Sequence, residues 1–591
     1  MAYNILIFIN ILLLLNINIF KKYYKIIMKK LVECVPNISE GNNQSIIKKI
    51  VEVVEKYPGI KLLNVDPGKA TNRTVITFVG EAEIIVDAAF KLISKAKELI
   101  DMSIHQGEHP RMGAVDVCPL IPISGISMDE TVELAHRLSE RVGNELSIPV
   151  YCYEYAATEE KRKNLANCRA GEYEGLENQF NDDAWKPDFG PAEFNDEVKK
   201  SGATAISARD FLVAYNVNLN TTSTRRANSV AFDLREAGRI KREGGTLTGK
   251  IIKDNKGNPK RTPGFFKNLK GIGWFIKEYG IAQISYNITN INTTPLHEVF
   301  DKTCERAQIR GMRVTGSELI GLVPKKVLIE AGKYYLTKQK RSNAIPESEI
   351  IHIAVKSLGL DELGNFDPKT RIIEYMIDEK NRNLSNKSLV DFANITSSES
   401  PAPGGGSISA YCGALGASLA VMVSNLSAHK RGWDDKWEYF SKIGEKGMLI
   451  QSKLIDLVDE DTDAFNSIMQ AYSMPKNSDE EKKIRDLNIQ AATKNAIEIP
   501  YEIMKVCFNS LEIIKKMAIK GNPNSITDVG VAMHCVKAAI NGAFLNVKIN
   551  CNELNDKSFV RNIIKSGKNI ISNTNSEEKK ILAIVDKVLS K

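Results

Sequence analysis

Nine cysteines occur in 591 residues, at positions 34, 118, 152, 168, 304, 412, 507, 535 and 551, and none forms a C-x-x-C pair. The missing motif excludes a zinc ribbon. The odd number and scattered spacing give no disulfide framework and fit a reducing cytosol. An excess of one charge is also lacking. The 80 Lys and Arg against 72 Asp and Glu leave +8, too mild a bias at this length to argue for nucleic acid, though suited to a small polyanionic substrate. One long apolar run occurs, over residues 5–20, and it is broken by Asn10, Asn16 and Asn18. No Lys or Arg precedes it, and no small-x-small cleavage site follows. A signal peptide and a membrane anchor are therefore not expected. Met28 is expected to open the folded protein, with residues 1–28 a non-native or disordered extension.

What remains is globular. Hydrophobic residues make up 43% and charged residues 26%, outside the disordered and fibrous ranges. The length allows about three to four domains. Residues 29–211 read as mixed α/β. Short strand-like runs at Leu31–Pro36, Lys61–Val65 and Thr74–Val79 are followed by helical spacing over Glu81–Asp101 and Glu130–Glu145. Residues 212–377 repeat the style, with strands at Phe211–Leu219 and Ile281–Thr289 and helices at Leu296–Gln308 and Pro324–Leu336. Two α+β subdomains, ferredoxin-like in arrangement, are expected. Between them residues 239–270 carry ten cations against Glu243 and Asp254. A solvated loop and a docking strip for an acidic substrate tail both fit. At 378–383 the apolar period lapses and a linker is expected. From residue 384 to 591 only long helical patterns follow, at Ser407–Ser427, Gly444–Tyr472, Glu480–Phe508 and Val531–Leu545. This predicts an all-α helical bundle.

Two of the seven histidines flank a carboxylate in Asp101-Met-Ser-Ile-His105-Gln-Gly-Glu108-His109-Pro-Arg111-Met-Gly113. His105-x-x-Glu108-His109 matches an inverted zinc-protease pattern, which needs one continuous helix. Gly107 and Pro110 oppose such a helix. A loop carrying a histidine that exchanges protons near neutral pH fits the residues, as does a structural loop with surface histidines.

In the helical half, Ser400-Pro-Ala-Pro-Gly404-Gly405-Gly406-Ser407 opens a small-residue helix. The glycines allow backbone to approach a ligand, and Ser407 is expected to be the N-cap of an anion-attracting helix start. Asp459-Glu-Asp461-Thr-Asp463 mimics a calcium loop, but Ala464 and Gln470 stand where its glycine and glutamate belong. Leu454, Val458, Asp461, Phe465 and Ile468 recur every three or four residues. That places Asp461 on the apolar stripe, with Asp459 and Asp463 to its sides. A shielded carboxyl there has a raised pKa and can serve as an acid–base group, or can be a hydrogen-bonded structural Asp.

The stretches Leu31–Gly41, Asp66–Thr74, Gly107–Gly113, Arg169–Glu174, Pro187–Pro191, Gly271–Trp274 and Ser317–Pro324 resemble, in order, the formiminotransferase family. Ala402–Ser407, Val458–Phe465 and Met474–Asn477 resemble the cyclodeaminase family. The resemblance implies transfer of a formimino group from N-formiminoglutamate to N5 of tetrahydrofolate, with His109 as general base. Asp66 is expected to orient His109, or to be a turn residue. Arg73 is expected to meet a substrate carboxylate, or to form a strand-edge ion pair. The folate-contacting stretch corresponds to Gly190–Gly202, with Gly190, Pro191 and Gly202 aligned. In the second half the resemblance implies ring closure to 5,10-methenyltetrahydrofolate with loss of ammonia, Asp461 as acid–base group and Gly404, Gly405, Gly406 and Ser407 at the folate. It further implies no metal, a tetrahydrofolate cosubstrate that can be polyglutamylated, a cytoplasmic homo-octamer built of dimers, and no nucleic-acid or membrane partner.

Overall fold

The computed structural model describes residues 30–68, 72–107, 110–245, 249–255, 257–377 and 383–590. The apolar run with the expected extension 1–28, residues 378–382 of the expected linker, and His109 lie outside them.

The chain divides into two compact units. The first runs to Val327 and takes in Gly359–Asp378. Its first sheet comprises β1 (Leu31–Cys34), β2 (Asn37–Ile38), β3 (Ile60–Gly68), β4 (Arg73–Glu81), β5 (Val115–Ser124), β6 (Val150–Glu154) and β7 (Thr204–Ala208). Pro36, which has no N–H to give a ladder, falls in the break between β1 and β2. Across the sheet the order is β3, β4, the β1/β2 pair, β5, β7, β6. Pairing is antiparallel as far as β5 and parallel through β7 and β6.

Helices α1 (Gln44–Glu55), α2 (Ala82–Leu99) and α3 (Met128–Leu146) share one core with Cys118, Leu120, Cys152 and Ile206. The alternate residues Val117, Tyr151 and Ala205 pack instead with Cys168, Leu176, Phe180 and Val198. Period-two alternation thus leaves the second face to the segment 160–202, which brings Arg169–Glu174 beside the strand ends. Ser127 and Glu130 form a capping box that starts α3.

The second sheet comprises β8 (Val213–Leu219), β11 (Leu269–Ile276), β12 (Ile281–Ile288) and β13 (Val314–Ile320), after a small pair β9 (Arg239–Ile240) and β10 (Arg261–Thr262). Its order is β11-β12-β8-β13, all antiparallel. Helices α4 (Thr224–Leu234) and α5 (Leu296–Gln308) follow β8 and β12. Both sheets arise from the same succession of strand, helix, two strands, helix and strand. In the basic segment Arg239 is tied to Asp233 at 2.6 Å, while Lys241, Lys250, Lys253, Lys260, Arg261, Lys267 and Lys270 are exposed.

The second unit joins Leu328–Leu358 to Glu379–Lys591, so the expected boundary near residue 378 omits an excursion. Most of α6 (Lys325–Lys338) and all of α7 (Glu347–Leu358) group with the helical residues. Their connection explains it. Asn343 N donates to Ser441 Oγ at 3.0 Å, Asn425 Nδ2 donates to Ala344 O at 2.7 Å, and Lys333 meets Glu445 at 3.0 Å.

After α8 (Leu389–Thr396) come five long helices: α9 (Gly405–Ala428), α10 (Trp437–Ser473), α11 (Asp479–Lys520), α12 (Ile526–Cys551) and α13 (Lys557–Leu589). The Ser478–Glu481 capping box starts α11, which continues through Pro500 well past the expected end at Phe508. Ala410, Gly413, Ala414, Ala417 and Ala420 are buried on α9, letting α10 and α12 pack closely on it. Among the described residues α9 alone is long and apolar enough to cross a membrane, and 61% of its most apolar stretch is buried in the unit.

Candidate active sites

In the first unit, Asp116 at the start of β5 is fully buried. Its Oδ1 accepts Met112 N–H at 3.1 Å. Its Oδ2 takes both Arg73 Nη1 and Arg169 Nη2, the latter at 2.8 Å. Arg73 Nε also donates to Asn37 Oδ1 at 3.1 Å, whereas Arg169 Nε is buried without a hydrogen-bond partner. Two guanidiniums thus share one carboxylate.

One residue before Met112, Arg111 belongs to a cluster of opposite balance. Its Nη1 and Nη2 fork onto Glu174 at 2.9 and 2.7 Å, and Nη1 reaches Glu172 only at 3.4 Å. The Arg111 hydrogen bonds hold the Glu174 carboxyl below its ordinary pKa. Arg111 Nε donates to His105 Nδ1 at 3.3 Å, so the proton on His105 Nε2 is the one given to Asn72 O at 3.0 Å. The Asn72 side chain accepts from Gly41 N–H and donates to Gln106 O, clamping the loops around residues 41 and 106. Glu172 has φ 57° and ψ −156°, a conformation costing ~1–3 kcal/mol for a non-glycine residue and concentrated at functional sites. Arg111, Glu172 and Glu174 line a cleft of about 510 Å³ with Gln106, Gly107 and Gly171.

In the second unit, Asp461 on α10 lies against the N-terminus of α9. A Cβ built on Gly406 would sit 2.0 Å from Asp461 Oδ1 and 2.5 Å from Oδ2, so only glycine leaves room for the carboxylate. Ser407 Oγ lies 2.8 Å from Val458 O, 3.1 Å from Asp461 Oδ2 and 3.2 Å from Thr462 Oγ1. The carboxylate thus fills, from within the chain, the anion site expected at this helix start. Burial still raises the Asp461 pKa, against the opposing Ser407 hydrogen bonds. Such a carboxyl can accept a proton and return it.

Family models match three successive stretches of the chain. The formiminotransferase domain, N-terminal subdomain, matches residues 31–209; the formiminotransferase domain matches 214–378; formiminotransferase-cyclodeaminase matches 388–568. The formimidoyltransferase-cyclodeaminase of Gallus gallus is 39% identical over 562 residues, covering 95% of this chain and 99% of the relative. The chain belongs to the formimidoyltransferase-cyclodeaminase family.

Each half of this family member also has separate relatives. A glutamate formimidoyltransferase of Streptococcus pyogenes is 40% identical over 309 residues, 52% of this chain and 94% of the relative. A methenyltetrahydrofolate cyclohydrolase of Methylorubrum extorquens is 33% identical over 200 residues, 34% of this chain and 96% of the relative.

Several expected site residues prove to have definite structural work. Arg73 is ion-paired with Asp116 and hydrogen-bonded to Asn37. Asp66 stands exposed in β3, not in a turn. Gly202 (φ 65°) backs Met112–Gly113, with no room for a Cβ beside Met112 O. Gly190 packs against Ile148 and Gly143, and Pro191 follows it. Gly404, not Ser407, is the α9 N-cap; Ser407 lies within the first turn. Gly405 faces Asn546. Asp459 is not a flank residue. It is buried and accepts Leu384 and Ser385 N–H at 2.8 and 3.2 Å.

Sequence reasoning gave no role to Asn72, Arg111, Asp116, Arg169, Glu172 or Glu174. Five of the six sit inside motifs that carried the family resemblance. Asp116, just past Gly113, had no signal beyond an acidic residue opening an apolar strand.

Proposed function

We propose that the chain transfers the formimino group of N-formiminoglutamate to N5 of tetrahydrofolate and then closes the product to 5,10-methenyltetrahydrofolate. In the first unit N5 attacks the formimino carbon, the bond to the glutamate nitrogen breaks, and His109 carries the N5 proton to that nitrogen. Gly107, two residues before it, lines the charged cleft, and Asp66 serves to orient it. In the second unit N10 attacks the same carbon. Asp461 takes the N10 proton and returns it to the nitrogen that leaves as ammonia. Gly404–Gly406 and Ser407 border the folate ring there, and Gly190, Pro191 and Gly202 belong to the folate-contacting segment of the first unit. Neither step uses a metal.

The observation that carries this reading is Asp461. It is a shielded carboxyl with a raised pKa for which the chain reserves a glycine-only space. The experiment feeds purified protein with N-formiminoglutamate and tetrahydrofolate and follows glutamate and ammonia separately. H109A should abolish glutamate release while folate still binds. D461N should abolish ammonia release and leave glutamate release intact. Joint loss in D461N defeats the two-site reading. Glutamate without ammonia from the wild type leaves the alternative, a formimino- or formyltransferase with an inactive helical half.

We further read both sheets as ferredoxin-like, from their shared strand order. The reaction belongs to histidine degradation, in the cytoplasm. The exposed cations of 239–270 suit the acidic tail of a polyglutamylated folate. Association into an octamer of dimers has support on the helical unit. Ile408, Leu415, Met422 and Leu426 of α9 are exposed, with Cys412 and Leu419 between them. On α12 the series Val531, Cys535, Ala538, Gly542, Leu545 and Ile549 has the same four-three spacing, the pattern of a helix seam awaiting a partner. A second copy is the occupant proposed for this face.

A further inference from the structure

The two ion clusters of the first unit are contiguous and opposite in balance. Met112 N–H is bonded to Asp116, the centre of the positive cluster, and the preceding residue, Arg111, is the centre of the negative one. From the other side, Glu172 N–H is bonded to Arg169 O at 3.0 Å, again joining one cluster to the other. Among the described residues two guanidiniums, Arg73 and Arg169, meet one carboxylate at Asp116, and two carboxylates, Glu172 and Glu174, meet one guanidinium at Arg111.

The two acids are not equivalent. Glu174 accepts both arms of the Arg111 fork, while Glu172 meets Arg111 only at 3.4 Å, lines the cleft and keeps a left-handed backbone. Of the two cations, Arg169 carries the buried, unbonded Nε.

This inference rests on the transferase reading above. The geometry points to a donor site of two poles, in which Glu172 receives the formimino nitrogen and Arg169 a donor carboxylate. The chemistry requires such a pair. An N-alkyl formamidine is an amidinium cation at neutral pH, with N–H groups that donate to a carboxylate; a formamide of the same shape is neutral. A negative pole at the reacting end distinguishes formimino from formyl, and a positive pole selects a dicarboxylic amino acid carrier. Glu172 and Arg169 are specificity and positioning residues. Proton transfer stays with His109, as proposed above.

The test compares two ligands of one shape: the KM for N-formiminoglutamate, and the KI of N-formylglutamate as a competitor. E172Q should raise the KM about tenfold, the loss of one charged hydrogen bond at a partly exposed position, and leave the KI unchanged. R169Q should raise both by a similar factor, and R169K should restore part of each. Glu172 is half exposed, so E172Q should fold, and its thermal unfolding should match the wild type. If E172Q leaves the KM unchanged, or moves KM and KI together, the two-pole assignment is wrong. A wild-type protein that releases no glutamate from N-formiminoglutamate overturns the transferase reading itself. A wild-type protein that turns over, with E172Q indifferent to donor charge, overturns only this inference.

Discussion

Replacing Gly406 by Ala isolates the position of one carboxylate. The added methyl would stand 2.0 Å from Asp461 Oδ1, whereas carbon and oxygen ordinarily approach to about 3.3 Å. The carboxylate must therefore retreat by about 1 Å. The obstructing atoms are the end of a flexible side chain, so the adjustment is a rotation of Asp461 and leaves the helix backbone in place. Overpacking costs ~1–3 kcal/mol, and Gly to Ala inside a helix returns up to ~1 kcal/mol. The fold should survive with a small drop in Tm. A misplacement of this size in a reacting group costs about 100-fold in rate. Ammonia release from 5-formiminotetrahydrofolate should fall by that order, while glutamate release from N-formiminoglutamate stays at the wild-type rate. Wild-type ammonia release from G406A would refute the claim that this glycine exists to seat the Asp461 carboxylate.

D116N leaves Arg73 and Arg169 without their shared anion. Stranding buried charge costs about 3 kcal/mol, so thermal unfolding of the first unit should come several degrees earlier and glutamate release should be lost, with ammonia release from 5-formiminotetrahydrofolate retained. Glu33 in β1 has its pKa pushed by burial from 4.5 to about 7. Between those values the unfolded chain ionises while the folded one holds its proton, so stability contributed below pH 4.5 is lost as pH rises through 7. E33Q should flatten the Tm of the first unit across that window, and an unchanged slope would contradict the buried assignment.

Much of the architecture was legible in the chain. The change from short alternating runs to long 3.6-residue patterns separates the sheet-bearing residues from the helical ones, because each period buries one face of its own element. The same period singles out Asp461, since a carboxylate on an apolar stripe must meet a neighbouring helix. The period does not say what an adjacent helix supplies. It left Asp459 as a bystander, although Leu384 and Ser385 N–H reach it from 75 and 74 residues earlier in the chain. Helical spacing also showed α6 as a helix without showing which core it joins, and α7 went unread.

Local sequence thus determined which segments become strands or helices and which faces turn inward, because those follow from spacing along a few turns of chain. Only the tertiary structure decided the pairing of charges: Arg73 with Arg169 on Asp116, Arg111 on Glu174, Asp461 in the space left by Gly406. Those partners lie 43, 53, 63 and 55 residues apart. An ion pair needs contact within a few ångströms, and no periodicity along the chain encodes contact at such separations.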